Sequence, residues 1–312
     1  MSEPVTAFAP ASIGNVGVGF DMLGLALEGA GDRVIARRIE GQGISIREVR
    51  GLDGEMHPYL STDPAQNTAS IAAVALWSEH GDAGVEIDIH KGVPLQSGMG
   101  SSAASAVAAV VAVNALLESP LPIEQLLPYA LEGEKFASKG LHADNVAPSL
   151  LGGLILCPSV LLPDVVRLPV PAGVSAVLLH PELQVNTAQA RRGLARGYSM
   201  EQWLQQQGYL ATFIAACAAG DIDLIGRSLR DVVIEPQRAA AVSCFAEVKD
   251  AAMRAGALGC SLSGSGPSIF ALCETRSAHN VASAMEQACR SLGIACQSWV
   301  SSMDAAGARI EA

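Results

Sequence analysis

The run Lys91–Gly92–Val93–Pro94–Leu95–Gln96–Ser97–Gly98–Met99–Gly100–Ser101–Ser102–Ala103–Ala104 constrains this chain more than any other stretch. Before it, Val85, Ile87 and Ile89 alternate with Glu86, Asp88 and His90, the period of two of a half-buried strand. After it, the Ala/Val-rich run from Ser105 to Leu117 holds no glycine or proline and fits a buried helix. Strand, glycine loop and helix together form the layout of a phosphate site. Gly98 and Gly100 let the backbone approach a ligand and turn N–H groups inward, and the positive end of the following helix favours an anion. Ser101 and Ser102 add hydroxyls at the helix start, where serine is also a good cap.

Three readings compete for this loop. It is not a Walker A sequence, because no Gly–Lys–Ser/Thr follows the glycines and Lys91 lies upstream instead. Gly98 to Ala103 do fit the G-x-G-x-x-A dinucleotide pattern, but that pattern usually opens the first βα unit of a fold, and here much of the chain comes first. The plainest reading is a tight strand-to-helix turn capped by serine.

At 312 residues the chain exceeds the size at which one core keeps growing, so two domains are expected. Half the residues are hydrophobic and few are aromatic, which calls for aliphatic, closely packed cores. A formal net charge of −11 with no compensating Lys/Arg run argues against nucleic acid and against an anionic membrane surface. An anionic ligand would then need a local basic or amide-lined pocket, or a metal ion. The seven cysteines are odd in number and scattered without a C-x-x-C pair, which suggests reduced thiols rather than a disulfide frame or a zinc site. Glu3 stands where a signal peptide carries base, and no apolar run is long enough for a bilayer, so a cytoplasmic protein is expected.

In chain order, Val5 to Ser12 reads as a strand that breaks into the glycine-rich stretch Ile13 to Asp21. There Asn15 and Asp21 are either ligand-facing or satisfied by their own backbone. Asp32–Glu40 and Gly43–Val49 read as strands, Gly51–Asp63 as turns, and 65–79 as a helix ended by Gly81. Beyond the central helix, 123–137 reads as a helix carrying Glu132 and Glu134. His142, Asp144 and Asn145 then crowd a Gly/Pro-bounded loop able to wall a pocket. Pro158 to Pro171 suggests a domain join. After it come a strand over 174–179, helices over 187–194, 200–219, 222–233 and 244–255, and a strand–glycine turn–strand over 259–272. A helix over 279–292 and a strand near 296–301 follow. This order suits an α+β sandwich.

Three separated motifs, Pro10–Ala11–Ser12 through Asp21, Pro94 through Ala104, and Gly264–Ser265–Gly266–Pro267, resemble in order and spacing those of the GHMP small-molecule kinases. The resemblance covers nearly the whole chain. Further letters, His142–Ala143–Asp144–Asn145 with Pro148, Thr187 with Ala190–Arg191, and Glu235–Pro236 with Arg238, look like the branch acting on L-homoserine. Met99 stands where the family usually has leucine, a volume-conserving swap.

The resemblance implies an α+β fold of two domains: residues 1–165, ribosomal-S5-like and nucleotide-binding, and 166–312, ferredoxin-like. It implies transfer of the γ-phosphoryl group of MgATP to the side-chain hydroxyl of an amino acid, on the way to threonine; as a metabolic enzyme the protein is expected to be a homodimer. It puts ATP on Pro94, Leu95, Gln96, Ser97, Gly98, Met99, Gly100, Ser101, Ser102, Ala103 and Ala104, with Gly264, Ser265 and Gly266. Mg²⁺ would sit on Ser102 and Glu134, a hydroxyl–carboxylate pair of hard oxygens. Arg191 and Arg238 would take the α-carboxylate and Asp21 the ammonium, with Asn15, His142, Asn145 and Thr187 lining the pocket. Asn15 or Asn145 would lie near the reacting hydroxyl, and Lys91 near the phosphates. Related mevalonate kinases carry aspartate where Asn145 stands. An amide cannot act as a base, so catalysis is expected through positioning, Mg²⁺ and amide stabilisation, with the proton passing to phosphate or water. A different GHMP kinase, an NAD-dependent oxidoreductase and a non-catalytic ligand-binding relative are the other readings.

Overall fold

The computed structural model describes residues 3–138, 140–195 and 197–311. The first part of the chain forms β1 (Val5–Gly14), β2 (Leu23–Ile39), β3 (Gly43–Arg50), α1 (Thr68–His80), β4 (Gly84–His90), α2 (Ser101–Asn114), α3 (Leu127–Ser138), α4 (Val146–Leu151), β5 (Leu154–Leu156) and β6 (Val166–Leu168). Then come β7 (Val174–Pro181), α5 (Thr187–Arg192), α6 (Met200–Ala219), α7 (Ile222–Ser228), α8 (Glu235–Arg238), α9 (Phe245–Arg254), β8 (Ala257–Leu262), β9 (Ile269–Glu274), α10 (Ala278–Ser291), β10 (Cys296–Ser302) and β11 (Arg309–Glu311).

Two sheets organise these elements, as the α+β expectation has it. One runs β11–β1–β2–β4–β3, with β5 pairing β2 and β6 pairing β5; only β3 and β4 are parallel. The other is antiparallel in the order β10–β7–β9–β8. The first sheet thus takes in Val166–Leu168 and Arg309–Glu311, both beyond the expected division at residue 165. The chain crosses to the second sheet and returns.

The period of two explains how the layers stack. On β7, Ala176 and Leu178 face the first sheet's Leu23, Leu25 and Ile13, while Val177 and Leu179 join Val248, Val281 and Met285 of α9 and α10. On the far side of the first sheet, α1, α2 and α3 cover Ala7, Val34, Ala36 and Ile87. Helix α2 lies in the middle of this layer, with every residue buried except Ser102. Its alanines allow close neighbours: a side chain at Gly133 of α3 would meet the Thr68 carbonyl of α1 and Ala106 of α2.

Three expectations change. Strand β2 begins at Leu23, nine residues before the expected Asp32. Leu23–Gly31 lacks β-branched residues and carries three glycines, so its strand character comes from pairing with β1 and β5 rather than from propensity. The helix expected to run to Val233 stops at Ser228, and the Asp231 carboxylate then accepts the N–H groups of Val233, Ile234 and Glu235 in a turn. The loop around Asn145 continues into α4, where Pro148 is tolerated in the first turn because the N–H it lacks has no helical acceptor there.

Candidate active site

The first turn of α2 opens on a cavity of about 830 Å³ that reaches from the 95–102 loop to Arg191 and Arg238. Gly98 and Gly100 both have left-handed φ, +77° and +68°. Their surroundings differ from the simple expectation of a backbone laid bare to a ligand. A Cβ on Gly98 would collide with the carbonyl oxygens of Ser263 and Gly266, and one on Gly100 with the Ser12 hydroxyl. The glycines are where the three motifs touch one another. Ser263 Oγ donates to the Gly98 carbonyl at 2.6 Å, the Ser268 N–H to the Ser97 carbonyl at 3.1 Å, and the Gly264 N–H to the Gly14 carbonyl at 3.1 Å.

The serines also act differently from caps. No side chain caps α2. Ser101 Oγ donates to the Val93 carbonyl at 2.8 Å, closing the loop on itself, and Ser102 Oγ donates to Glu134 Oε2 at 3.2 Å. Ser102 and Glu134 therefore meet across α2 and α3 at the cavity wall, as the hydroxyl–carboxylate pairing requires. Glu134 is only 9% exposed.

Lys91 is buried at the strand end, where its ammonium donates to Asp32, to Ser105 Oγ at 2.7 Å and to the Ser101 carbonyl at 2.9 Å. Three acceptors match the three hydrogens of an ammonium. Asp32 also accepts the Gly92 and Val93 N–H groups at 2.8 and 3.0 Å. Lys91 borders the cavity, yet all its donors are held by protein, so it fixes the strand, loop and helix together instead of reaching outward.

Also lining the cavity, Arg191 of α5 forms a two-pronged pair with Asp21, both bonds 2.7 Å, and His142 Nδ1 lies 3.5 Å from the same carboxylate. Burial holds the His142 imidazole below its ordinary pKa, although Asp21 pulls the other way. Arg238 of α8 donates Nη1 to the Gly264 carbonyl at 3.0 Å, while its buried Nε has no acceptor. Asn15 Nδ2 donates to the same carbonyl at 3.0 Å, and Asn15 Oδ1 accepts the Asp21 N–H at 3.1 Å. Asn15 and Asp21 have φ of +66° and +57°, strained values that the interlocking loops maintain. Thr187 Oγ1 and Ser265 Oγ are 3.1 Å apart. Asn145, at the start of α4, accepts a 2.9 Å bond from Ser12 Oγ.

Asp144, read from the sequence only as part of a pocket wall, has a more particular place. It lines the cavity, accepts the Asn15 N–H at 3.2 Å, and is pushed up to about 7, chiefly by burial and then by the nearby Asp21 charge. A carboxyl raised above its unfolded value stabilises the fold fully only below that value, near 4, and the contribution is lost as pH rises through about 7. Asp144→Asn should therefore flatten the pH dependence. Urea denaturation at pH 5 and pH 8 should show the wild type losing on the order of a few kcal/mol relative to the variant at the higher pH. Parallel losses in both proteins would show that Asp144 titrates normally.

Two family models match the chain, "GHMP kinases N terminal domain" over residues 67–153 and "GHMP kinases C terminal" over 213–291. A homoserine kinase of Xanthomonas campestris pv. campestris (strain B100) is 44% identical over 306 residues, covering 97% of this chain and 93% of that protein. One of Chlorobaculum tepidum is 41% identical, covering 99% and 98%. The crystal structure of homoserine kinase from Cytophaga hutchinsonii ATCC 33406 superposes with a TM-score of 0.94 at 41% identity, covering all of this chain and 98% of that one. The chain belongs to the GHMP kinases, in their homoserine kinase branch.

For a member of the homoserine kinases, the expected residues fall into two groups. Asn15, Asp21, His142, Asn145, Thr187, Arg191 and Arg238 form one polar and charged set of the cavity lining, and Ser102 with Glu134 the hydroxyl–carboxylate pair beside the loop; Asn145 lies against Gly100, so the two sets adjoin. Met99, Ala103 and Ala104 lie fully buried behind that loop, as framework. Leu60, Asn67 and Phe136 line the cavity beyond the loop and had no motif to mark them. Among the described residues no helix is long and apolar enough to cross a membrane.

Proposed function

We propose that this chain transfers the γ-phosphoryl group of ATP to the side-chain hydroxyl of L-homoserine, giving O-phospho-L-homoserine. The observation that carries this reading is the pairing of charges inside one cavity. Two guanidinium groups and one carboxylate, Arg191, Arg238 and Asp21, line the same cavity as the uncapped start of α2. A zwitterionic amino acid supplies the opposite charge to each of these side chains. Its carboxylate takes the arginines bidentately where geometry allows, and its ammonium takes Asp21 once Arg191 has exchanged partners.

The loop N–H groups and the dipole of α2 hold the phosphates, with Lys91 and Asp32 fixing the loop from beneath. Ser102 and Glu134 fit Mg²⁺ by chemistry, since both offer hard oxygens 3.2 Å apart at the cavity wall. Bound there, the ion would neutralise phosphate charge. Because Asn145 Oδ1 is occupied by the Ser12 hydroxyl, its amide hydrogens remain to orient an oxygen of the reacting groups. Neither Asn15 nor Asn145 can accept the hydroxyl proton, which passes to a phosphate oxygen or water as the phosphoryl group is transferred. Catalysis then rests on placement and on stabilising charge.

A coupled ADP-release assay across L-homoserine, mevalonate, L-serine and L-threonine tests the proposal. Homoserine should give a kcat/KM on the order of a hundredfold or more above each of the others, since the site reads both charges and the hydroxyl reach. Faster turnover of mevalonate would reassign the chain within its family.

A further inference from the structure

Both arginines lie against one side chain to which no motif assigns a role. The Phe20 ring, next to Asp21 in the chain, has the Arg238 guanidinium 5.0 Å from its centroid and that of Arg191 at 5.5 Å. We propose that Phe20 is a positioning residue for substrate recognition, its ring electrons holding the two carboxylate-binding guanidinium groups in place in the free enzyme. The inference rests on the reading that Arg191 and Arg238 take the carboxylate.

Two like charges close together repel; Arg191 is paired directly with Asp21, whereas among the described residues Arg238 has no carboxylate at ion-pair distance and feels Asp21, Asp231 and Asp144 from farther off. Arg238 is 5% exposed, with one guanidinium bond to the Gly264 carbonyl and a buried Nε without an acceptor. Such a cation has reason to swing away from its neighbour. The face of an aromatic ring carries partial negative charge and attracts a cation within about 6 Å of its centroid. One ring serving both guanidinium groups fixes their separation without adding an anion, and an anion at that point would compete with the incoming carboxylate. An aliphatic side chain of similar bulk would fill the space but would not attract either charge.

Steady-state kinetics on Phe20→Leu and Phe20→Tyr, with both substrates varied, separate this role from a structural one. Phe20→Leu should raise the homoserine KM on the order of tenfold, with the ATP KM and thermal midpoint little changed, and Phe20→Tyr should restore the wild-type value. In an Arg238→Met background Phe20→Leu should add less than about twofold, because a shared role is not additive. Replacing Phe20 by trifluorophenylalanine keeps the shape while weakening the ring's negative face, and should raise the homoserine KM in the same direction; this arm also decides the matter if Phe20→Leu folds poorly. An unchanged homoserine KM in the fluorinated protein, or equal losses with and without Arg238, would overturn the proposal. If Arg238→Met alone left the homoserine KM unchanged, the fault would lie with the carboxylate reading itself.

Discussion

Arg238→Met is expected to lower kcat/KM for homoserine on the order of a hundred- to a thousandfold while leaving the KM for ATP nearly unchanged. Removing one member of a buried charge pair costs about 2–5 kcal/mol, most of it from the charge left without a counterpart, here the substrate carboxylate. Arg238→Lys should fall between the variant and the wild type, because an ammonium keeps the charge but loses the planar fork. Folding stability should move the other way. Burial pulls the Arg238 pKa below its ordinary value, and repulsion from Arg191 adds to that, so this charge strains the unliganded protein. A neutral side chain of comparable length relieves that strain, and the thermal midpoint of Arg238→Met should equal or exceed that of the wild type. Loss of activity together with a large fall in midpoint would instead make Arg238 a structural residue.

The second large effect is expected at Glu134. Glu134→Gln keeps the shape and the reach to Ser102 but removes the charge that would hold Mg²⁺ against the phosphates. We expect kcat to fall on the order of a hundredfold or more, and the Mg²⁺ concentration for half-maximal rate to rise, with at most a small change in the homoserine KM. Titrating Mg²⁺ at saturating ATP and homoserine provides the check. A selective rise in the homoserine KM would place Glu134 on the substrate instead.

Much of this site was legible because it is built from motifs whose letters have local causes. The alternation of Val85, Ile87 and Ile89, the glycines at 98 and 100, and the alanine-rich helix after them all describe their own backbone, and β4, the loop and α2 follow. What Gly98 and Gly100 approach was not legible. Their neighbours are Ser263, Gly266 and Ser12, more than 80 positions away in the sequence, and only tertiary packing brings them near. Lys91 shows the same limit: a lysine before a phosphate loop suggests phosphate, but its fate depends on Asp32 reaching it from β2 and Ser105 from α2. Asp144 was visible as a letter in a promising loop, yet its raised pKa arises from burial beside Asp21, which no local pattern reports. The early start of β2 escaped for the opposite reason, since Leu23–Gly31 carries a weak local preference that pairing overrides.

The short strand β11 carries a consequence for how the molecule is made. It pairs Arg309–Glu311 with Phe8, Ala7 and Thr6, joining residues about 300 positions apart, while β2 covers the other side of β1. During synthesis at about 5–20 residues per second, β2 emerges within seconds of β1, but the outer edge of β1 waits on the order of 15–60 s for its neighbour. Through that interval an open edge is exposed on the ribosome, a surface on which unrelated strands can add. An early strand is thus enclosed only after about 300 further residues, and the fold has to manage that edge during the delay with what it has nearby, including the bulge at Pro10, where a missing N–H breaks the regular ladder.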